Sequence, residues 1–312
     1  MFFPVAGIEV DPWILPIVAF IISFFAAMGG LSGAFLLLPF QVSVLGFTSP
    51  SVSATNQLFN ITAIPGGVYR YLKEGRMVWP LTLAVIIGTL PGVFIGAIVR
   101  IQFLPDPKNF KFFAGLVLIY IGVKLVKDLF SAESANRKQI EAEEEFHKSI
   151  KEQKNVDDSE ILKVTEQKFS LFHVSYEFHG HTFVVNTIGI ITLSFVVGII
   201  GGIYGIGGGA IIAPFLLTFF GLPIFTIAGA TLMGTFVTSI AGVVFYQLIA
   251  PYYPNQVIAP DWALGIFFGL GGFAGIYFGA KFQKFFPAKI IKWILIACIL
   301  VPALNYIWQF IS

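Results

Sequence analysis

Half of the charged side chains of this 312-residue chain lie within one segment of 53 residues. Residues 131–183 hold 7 of the 19 basic and 11 of the 17 acidic residues, which leaves 18 charges for the other 259 positions. Those positions form long apolar runs, which bury favourably only in lipid or against other membrane helices. The sequence therefore predicts an all-α integral membrane protein and excludes a soluble enzyme.

The two apolar parts on either side of that segment repeat one pattern of residues. The sequence GLSGAFLLLPF, which starts at Gly30, matches GIGGGAIIAPF, which starts at Gly205, at an offset of 175 residues. Further matches follow in the same order: Ala54-Thr55 with Ala230-Thr231, Thr62 with Thr238, and Gly88, Gly92 and Gly96 with Gly271, Gly275 and Gly279. An internal repeat of this kind indicates two related structural units. We therefore expect membrane repeat 1 over 1–130, a charged insert over 131–183 and membrane repeat 2 over 184–312.

Each repeat contains about five apolar segments. They lie at about 13–28, 33–46, 55–71, 77–99 and 109–127 in repeat 1, and at about 184–203, 208–221, 230–250, 262–281 and 288–311 in repeat 2. Because a helix needs about 20 residues to cross the hydrocarbon core, the first two segments of each repeat are short or form a re-entrant hairpin. Either arrangement gives each repeat an odd number of crossings. We therefore expect two inverted-topology repeats, an architecture common among secondary transporters.

Loop charges predict the orientation of the repeats, since cytoplasmic loops carry an excess of Lys and Arg. The loop after the third segment of repeat 1 contains Arg70, Lys73 and Arg76, whereas its counterpart at 251–261 has no basic residue. Four lysines follow the fourth segment of repeat 2: Lys281, Lys284, Lys289 and Lys292. These loops predict a cytoplasmic insert with both termini outside. Three basic residues do not fit this orientation: Arg100, Lys108 and Lys111.

The duplicated glycine motif is the strongest candidate for a binding site. A glycine-rich break between two short helices exposes the N–H groups and partial positive charge of a helix start, which attract anions. Such a start is predicted near Ser32 and Gly33 in repeat 1, and near Gly207, Gly208 and Gly209 in repeat 2. The alternative is that the glycines serve only close helix packing. Their matched positions beside short segments favour a site near the midplane between the two repeats, at which a transporter would work by alternating access.

The third segment of each repeat carries polar side chains that a lipid-facing helix would avoid. Thr55 and Asn56 in repeat 1, with the matched Thr231 in repeat 2, are expected to line the same cavity, and interhelical hydrogen bonding is the alternative. The sequence Pro65-Gly66-Gly67 is expected to kink or break this segment. The glycines of the fourth segments recur every fourth residue and indicate helix packing alone.

Acidic residues outside the insert lie only in loops or at segment ends: Glu9, Asp11, Glu74, Asp106, Asp128 and Asp261. No carboxylate is therefore placed to relay protons across the membrane centre. Neutral donors at helix starts favour an anionic solute instead. The sequence predicts no catalytic residue, no metal ligand set and no cofactor.

The charged insert contains two local patterns. Helix formers over 140–154 predict a solvated helix. From Phe172 to Phe178 apolar and polar residues alternate, which predicts a strand that needs a pairing partner. The histidines of this region would permit a metal cluster, but their spacing matches no recognised site, and an exposed polar strand face is the favoured interpretation.

The glycine motif that ends in proline, GIYGIGGGAIIAPF in repeat 2, and the Ala-Thr pair after it resemble the TauE/SafE sulfite-exporter family of bacterial permeases. The resemblance covers both repeats but not the insert. It maps the family motif onto Gly205, Gly207, Gly208, Gly209 and Pro214 in repeat 2 and onto Gly30, Ser32, Gly33 and Pro39 in repeat 1. It implies a multi-pass carrier of the bacterial inner membrane that exports sulfite, sulfoacetate or other organosulfonates.

Two other classes of protein stay open as alternatives. Gly30-Leu31-Ser32-Gly33 resembles the motif of rhomboid intramembrane proteases, in which Ser32 would be the nucleophile, but all four histidines lie in the insert and leave it without a general base. An anion channel is the closer alternative, and saturable, exchange-stimulated flux distinguishes a carrier from it. The predicted partners are a small anionic solute and the lipid bilayer, without nucleic acid, and the sequence leaves a homodimer open.

Overall fold

A computed structural model describes residues 1–28, 31–130, 141–142, 144–145, 163–209, 211–286 and 288–311. The helices of the first half are α1 (Ile14–Met28), α2 (Ala34–Ser43), α3 (Ser51–Lys73), α4 (Trp79–Gln102) and α5 (Pro107–Phe130). Those of the second half are α6 (Thr187–Tyr204), α7 (Ala213–Phe220), α8 (Ile224–Ile249), α9 (Trp262–Phe282) and α10 (Ala288–Ile311). Each helix lies on one of the apolar segments predicted from the sequence.

Helix length and composition identify a multi-pass membrane protein. Within the described residues, α4, α6, α8 with the 3-10 turn that extends it, and α9 are long and apolar enough to cross a membrane. By contrast, α2 has 10 residues and α7 has 8, and both follow a glycine motif. The prediction of an all-α membrane protein is confirmed.

Two small antiparallel sheets accompany the helices. The strands β1 (Phe2–Phe3) and β2 (Ile8–Glu9) form a hairpin near the N-terminus. In the insert, β3 (Thr165–Phe169), β4 (His173–Phe178) and β5 (His181–Asn186) pair in that order, which confirms the predicted strand and supplies its partners. The helix predicted over 140–154 lies mostly outside the described residues.

The glycine stripes of α4 and α9 bring two pairs of helices into backbone contact. A Cβ atom added at Gly88, Gly92 or Gly96 would overlap the carbonyl oxygens of α6, at Ile191, Phe195 and Ile199 respectively. The matched glycines of α9 face α1 in the same way: Gly271 meets Pro16 O, Gly275 meets Phe20 O and Gly279 meets Phe24 O. The packing role predicted for these glycines is confirmed.

The helices form two groups, each of which contains helices from both halves of the sequence. In the first, which we call the α3 group, α9 packs against both α1 and α3. In the second, the α8 group, α4 packs against both α6 and α8. The two groups meet where α3 contacts α8, and α5 pairs with α10 separately. This pattern of contacts is unchanged when the two halves are exchanged.

The break expected at Pro65-Gly66-Gly67 does not occur, because α3 continues as a helix from Ser51 to Lys73. The two glycines instead allow close packing on α9: a Cβ atom at Gly66 would lie 2.6 Å from Phe273 O, and one at Gly67 would overlap Ile276. Contact with α9 on this face therefore stabilises the helix despite the hydrogen bond that proline removes.

Candidate functional site

The two glycine motifs differ in local structure. In the first motif, Gly33 is the N-cap residue of α2, and the Ser32 hydroxyl accepts a hydrogen bond from Ala34 N at 3.1 Å. In the second motif, Gly205 and Gly207 have left-handed backbones, with φ values of 79° and 73°, which glycine adopts without strain. The following helix begins at Ala213, so the helix start predicted near Gly207–Gly209 is wrong. The chain makes turns there before α7 begins.

Asn60 of α3 joins the two motifs. Its Oδ1 accepts a hydrogen bond from the Ser32 hydroxyl of the first motif. Its Nδ2 donates to Ile206 O of the second motif at 2.9 Å and to Ser239 Oγ of α8 at 3.2 Å. The three side chains, of Ser32, Asn60 and Ser239, are fully buried. One carboxamide therefore contacts both motifs and both helix groups.

The glycines of the second motif are enclosed by α4 and α8. Gly208 N donates to Thr238 Oγ1 at 3.3 Å, and a Cβ atom at Gly208 would overlap the Thr89 side chain. A Cβ atom at Gly209 would overlap Thr231 O and lie 2.7 Å from Thr235 N. An anion that binds here would have to contact the same glycine backbone that already packs against α4 and α8.

The polar residues predicted on the third segments have different surroundings. Asn56 connects α3 to α2, because its Nδ2 donates to Ala34 O at 3.0 Å and its Oδ1 accepts from Gln41 Nε2 at 3.3 Å. The Thr55 hydroxyl accepts from Asp261 N at the start of α9, at 2.8 Å. Thr231 donates to Ala228 O within α8 at 3.1 Å, while its carbonyl borders Gly209. The structure thus brings Ser32, Gly33 and Asn56 together where α2 contacts α3. It places Gly207–Gly209 and Thr231 together where the second glycine motif packs against α8.

Asn60 is one of the polar residues of the third segment that the sequence predicts to face a cavity, but it is not among the predicted binding residues. The signal was available, because Asn60 follows Asn56 by four residues and therefore lies on the same face of α3. A second buried amide lies one position after Asn56: both side-chain polar atoms of Gln57 lack a hydrogen-bond partner among the described residues, and the side chain packs against Gly242 of α8. Unpaired amide groups at the α3–α8 contact are potential ligand donors and acceptors.

Charged side chains lie at the ends of the helices. Beyond the end of α3, the buried Arg76 forms an ion pair with Glu74 at 3.1 Å and donates to Gln283 Oε1 at 3.0 Å. Gln283 Nε2 then donates to Met28 O at 2.9 Å, which ties the end of α1 to this cluster. At the end of α4, the buried Arg100 donates to the carbonyl oxygens of Leu104 and Thr48. The structure thus gives Arg100, one of the three residues that resist the predicted orientation, a local structural role at a helix end.

The three-stranded sheet of the insert covers the loop between α3 and α4. Val164 N donates to Gly75 O at 3.0 Å, and the Gln167 amide accepts from Trp79 N and donates to Met77 O. The buried Tyr176 hydroxyl lies 2.8 Å from Thr226 Oγ1 near the start of α8. Burial raises the pKa of Tyr176 above its ordinary value, and the hydrogen bond to Thr226 lowers it in part. The insert therefore contacts the loop after α3 and helices of the α8 group.

The chain is similar to known membrane transporters. The family model described as Sulfite exporter TauE/SafE matches residues 15–306. The probable membrane transporter protein YdhB of Bacillus subtilis (strain 168) is 32% identical over 117 residues, which are 37% of this chain and 44% of that protein. The aligned region thus spans less than half the length of this relative. No solved structure matches the chain.

Proposed function

Because the chain belongs to the sulfite exporter TauE/SafE family, we propose that it exports small sulfur-containing anions such as sulfite, sulfoacetate or other organosulfonates. The family and the relative are membrane transporters rather than enzymes, and this chain is a membrane transporter. The solute, the direction of export and the mechanism belong to the proposal. So do the inverted orientation of the halves, the cytoplasmic insert and the bacterial inner membrane.

The contacts of Asn60 are the observation that carries this proposal. The residue lies where the α3 group meets the α8 group, and it contacts both glycine motifs. The side chains that meet there, those of Ser32, Asn60 and Ser239, are polar and uncharged. A carrier that works by alternating access needs its solute site between two parts that move relative to each other. The meeting point of the Ser32, Asn60 and Ser239 side chains, which we call the Asn60 junction, lies between two such parts.

The junction contains hydrogen-bond donors that an anion would take over. The Ser32 hydroxyl donates to a neutral acceptor, Asn60 Oδ1, and an anion oxygen would replace that acceptor. Hydrogen bonds to charged groups contribute about 1.5–3 kcal/mol, against about 0.5–1.5 kcal/mol for neutral pairs. Replacing Asn60 Oδ1 by an anion oxygen therefore strengthens the hydrogen bond that the Ser32 hydroxyl donates. Ser32 then serves as a solute ligand, in place of the nucleophile that a protease would need.

We infer that the α3 group and the α8 group, not the two halves of the sequence, are the moving parts. The glycine stripes hold α1 on α9 and α4 on α6 with backbones in contact, so a shift within either group would disrupt close packing. Contact between the groups centres on α3 and α8. Movement at this contact would open the Asn60 junction toward one side of the membrane and then the other.

Transport in liposomes tests the proposed activity. Purified protein should catalyse saturable sulfite or sulfoacetate flux that unlabelled solute on the opposite side accelerates. Asn60→Leu should abolish this flux, whereas Gly189→Ala should keep it, because a Cβ atom at Gly189 meets its nearest neighbour, Phe220, at 3.4 Å. Flux that does not saturate would identify an anion channel. Absence of flux for every sulfur anion tried would refute the proposed solute class.

Disulfide cross-links test the proposed moving parts. A cysteine pair at Tyr71 and Gly229 would join α3 to α8, since a Cβ atom at Gly229 lies 3.2 Å from the Tyr71 Cβ. The matched pair at Leu58 and Gly265 would join α3 to α9 within the α3 group, because a Cβ atom at Gly265 lies 3.2 Å from the Leu58 Cβ and its closer contacts are with the Leu58 side chain that the cysteine replaces. In a background without Cys298, oxidation should stop flux only in the first pair, and reductant should restore it. Equal inhibition of both pairs would contradict the assignment of the moving groups.

A further inference from the structure

A cavity of about 270 Å³ lies between the start of α5 and the end of α10, away from the Asn60 junction. It is lined by Pro107, Lys108, Lys111, Tyr306 and Phe310. Lys108 and Lys111 are three residues apart on α5 and therefore share one face of that helix. The cavity thus has two ammonium groups on one wall and aromatic side chains of α10 on the other.

Tyr306 lines this cavity and carries a buried hydroxyl. Its side chain is 1% exposed, and its hydroxyl lies near Ser43 without forming a hydrogen bond of normal geometry to a described residue. A buried hydroxyl that lacks a partner destabilises the fold, so an acceptor from a ligand would be favoured there. The Lys108 ammonium lies 5.4 Å from the centroid of the Phe310 ring, which holds that charge beside the cavity.

Positive charge and exposed apolar side chains surround the cavity. The Arg100 guanidinium lies 3.9 Å from the centroid of the Phe110 ring on the same turn of α5 as the two lysines. The acidic side chain at this end, Asp106, caps α5 by accepting from Asn109 N at 2.9 Å. Exposed apolar side chains lie on both helices, including Leu116 on α5 and Trp308 on α10. The two helices that line the cavity therefore carry surfaces suited to lipid.

We propose that this cavity binds a phosphate or sulfonate group, carried either by an anionic phospholipid headgroup or by a small soluble anion. The two ammonium groups attract the negative charge, the Tyr306 hydroxyl donates to one of its oxygens, and Phe310 contacts the carbon atoms attached to it. Basic pockets between membrane helices recognise lipid headgroups by the same chemistry. This site is separate from the Asn60 junction and does not depend on the proposed transport activity.

Native mass spectrometry of the purified full chain tests the proposal. The protein should retain phosphatidylglycerol in preference to phosphatidylcholine, and Lys108→Gln and Lys111→Gln should each weaken that preference roughly fivefold, as expected for one lysine near an anionic group. Tyr306→Phe should weaken retention with no change of charge. The control is Lys127→Gln, which removes an exposed lysine at the opposite end of α5 and should have no effect.

A competition experiment identifies the source of the anionic group. If millimolar inorganic phosphate or methanesulfonate displaces phosphatidylglycerol or protects the protein against heat in a Lys108-dependent manner, the site also accepts soluble anions. If only the lipid binds, the headgroup is the ligand. The proposal is overturned if neither binds, or if Lys127→Gln reduces retention as much as Lys108→Gln and Lys111→Gln do.

Discussion

Replacing Asn60 by leucine should destabilise the protein by about 2 kcal/mol or more. The substitution removes three buried hydrogen bonds, to Ser32, Ile206 O and Ser239. Hydrogen bonds between membrane helices contribute about 0.6 kcal/mol each on average and at most about 1.7. Three average bonds therefore give about 2 kcal/mol, and leaving Ile206 O without a partner raises the value further.

The measurement is unfolding of the purified protein by SDS, followed by tryptophan fluorescence. Thr62, two positions from Asn60, gives the matched control Thr62→Val, because among the described residues its hydroxyl bonds only Leu58 O of its own helix, at 3.3 Å. This control should change the free energy of unfolding by less than about 0.5 kcal/mol. Ser32→Ala should cost about 1 kcal/mol and should add less than that to Asn60→Leu, since both remove the Ser32–Asn60 bond and only Ser32→Ala also removes the bond from Ala34 N. If Asn60→Leu were as stable as Thr62→Val, or if the Ser32 and Asn60 effects were additive, the Asn60 junction would lack the described coupling.

Further outcomes follow from other contacts. Gly92→Ala should destabilise the protein by more than about 2 kcal/mol, because the new Cβ atom meets Phe195 O at 2.5 Å, whereas Gly189→Ala should be neutral or slightly stabilising in the same SDS titration. Asp261→Ala should cost about 1–2 kcal/mol, since the carboxylate caps α9 through Leu264 N and also accepts from Ala6 N, and Asp261→Asn should recover much of that loss. Single cysteines at Lys73 and Asn255, in a background without Cys298, should be labelled from opposite sides of the membrane by an impermeant reagent, and equal labelling would refute the inverted orientation. Burial raises the pKa of Tyr176 in the folded protein, so the stabilising contribution of its neutral form is complete below about pH 10 and declines as the pH rises toward the folded-state pKa. Tyr176→Phe should therefore reduce the loss of stability at alkaline pH, measured by thermal unfolding.

The sequence was sufficient to predict the helices and their packing faces. Apolar length fixes where helices form, and glycines at every fourth residue mark a face that only a closely packed backbone can use, which is how α4 meets α6. The alternation in the insert likewise predicts β4 because strand side chains alternate between faces. These are local properties, and each depends on a few neighbouring residues.

The partners of the polar side chains could not be read from the sequence. Thr55 and Asn56 are adjacent, yet Thr55 contacts the start of α9 and Asn56 contacts α2, because neighbouring helix positions point in different directions. The spacing to Asn56 marks the helix face of Asn60, but its partners come from the tertiary fold, which brings together residues 28 and 146 positions away along the chain. The helix expected to break at Pro65 continues because contact with α9 outweighs a local preference.

Contact between α1 and α9 has a consequence for how the protein assembles in the membrane. The backbone face of α1 at Pro16, Phe20 and Phe24 receives its partner glycines from a helix that begins at Trp262, near the other end of the chain. During synthesis, α1 therefore lies in the bilayer without its partner helix until most of the polypeptide has been inserted. Neither half can bury its own first helix without the other half. Two fragments separated within the insert would complete each other only when both are present in one bilayer.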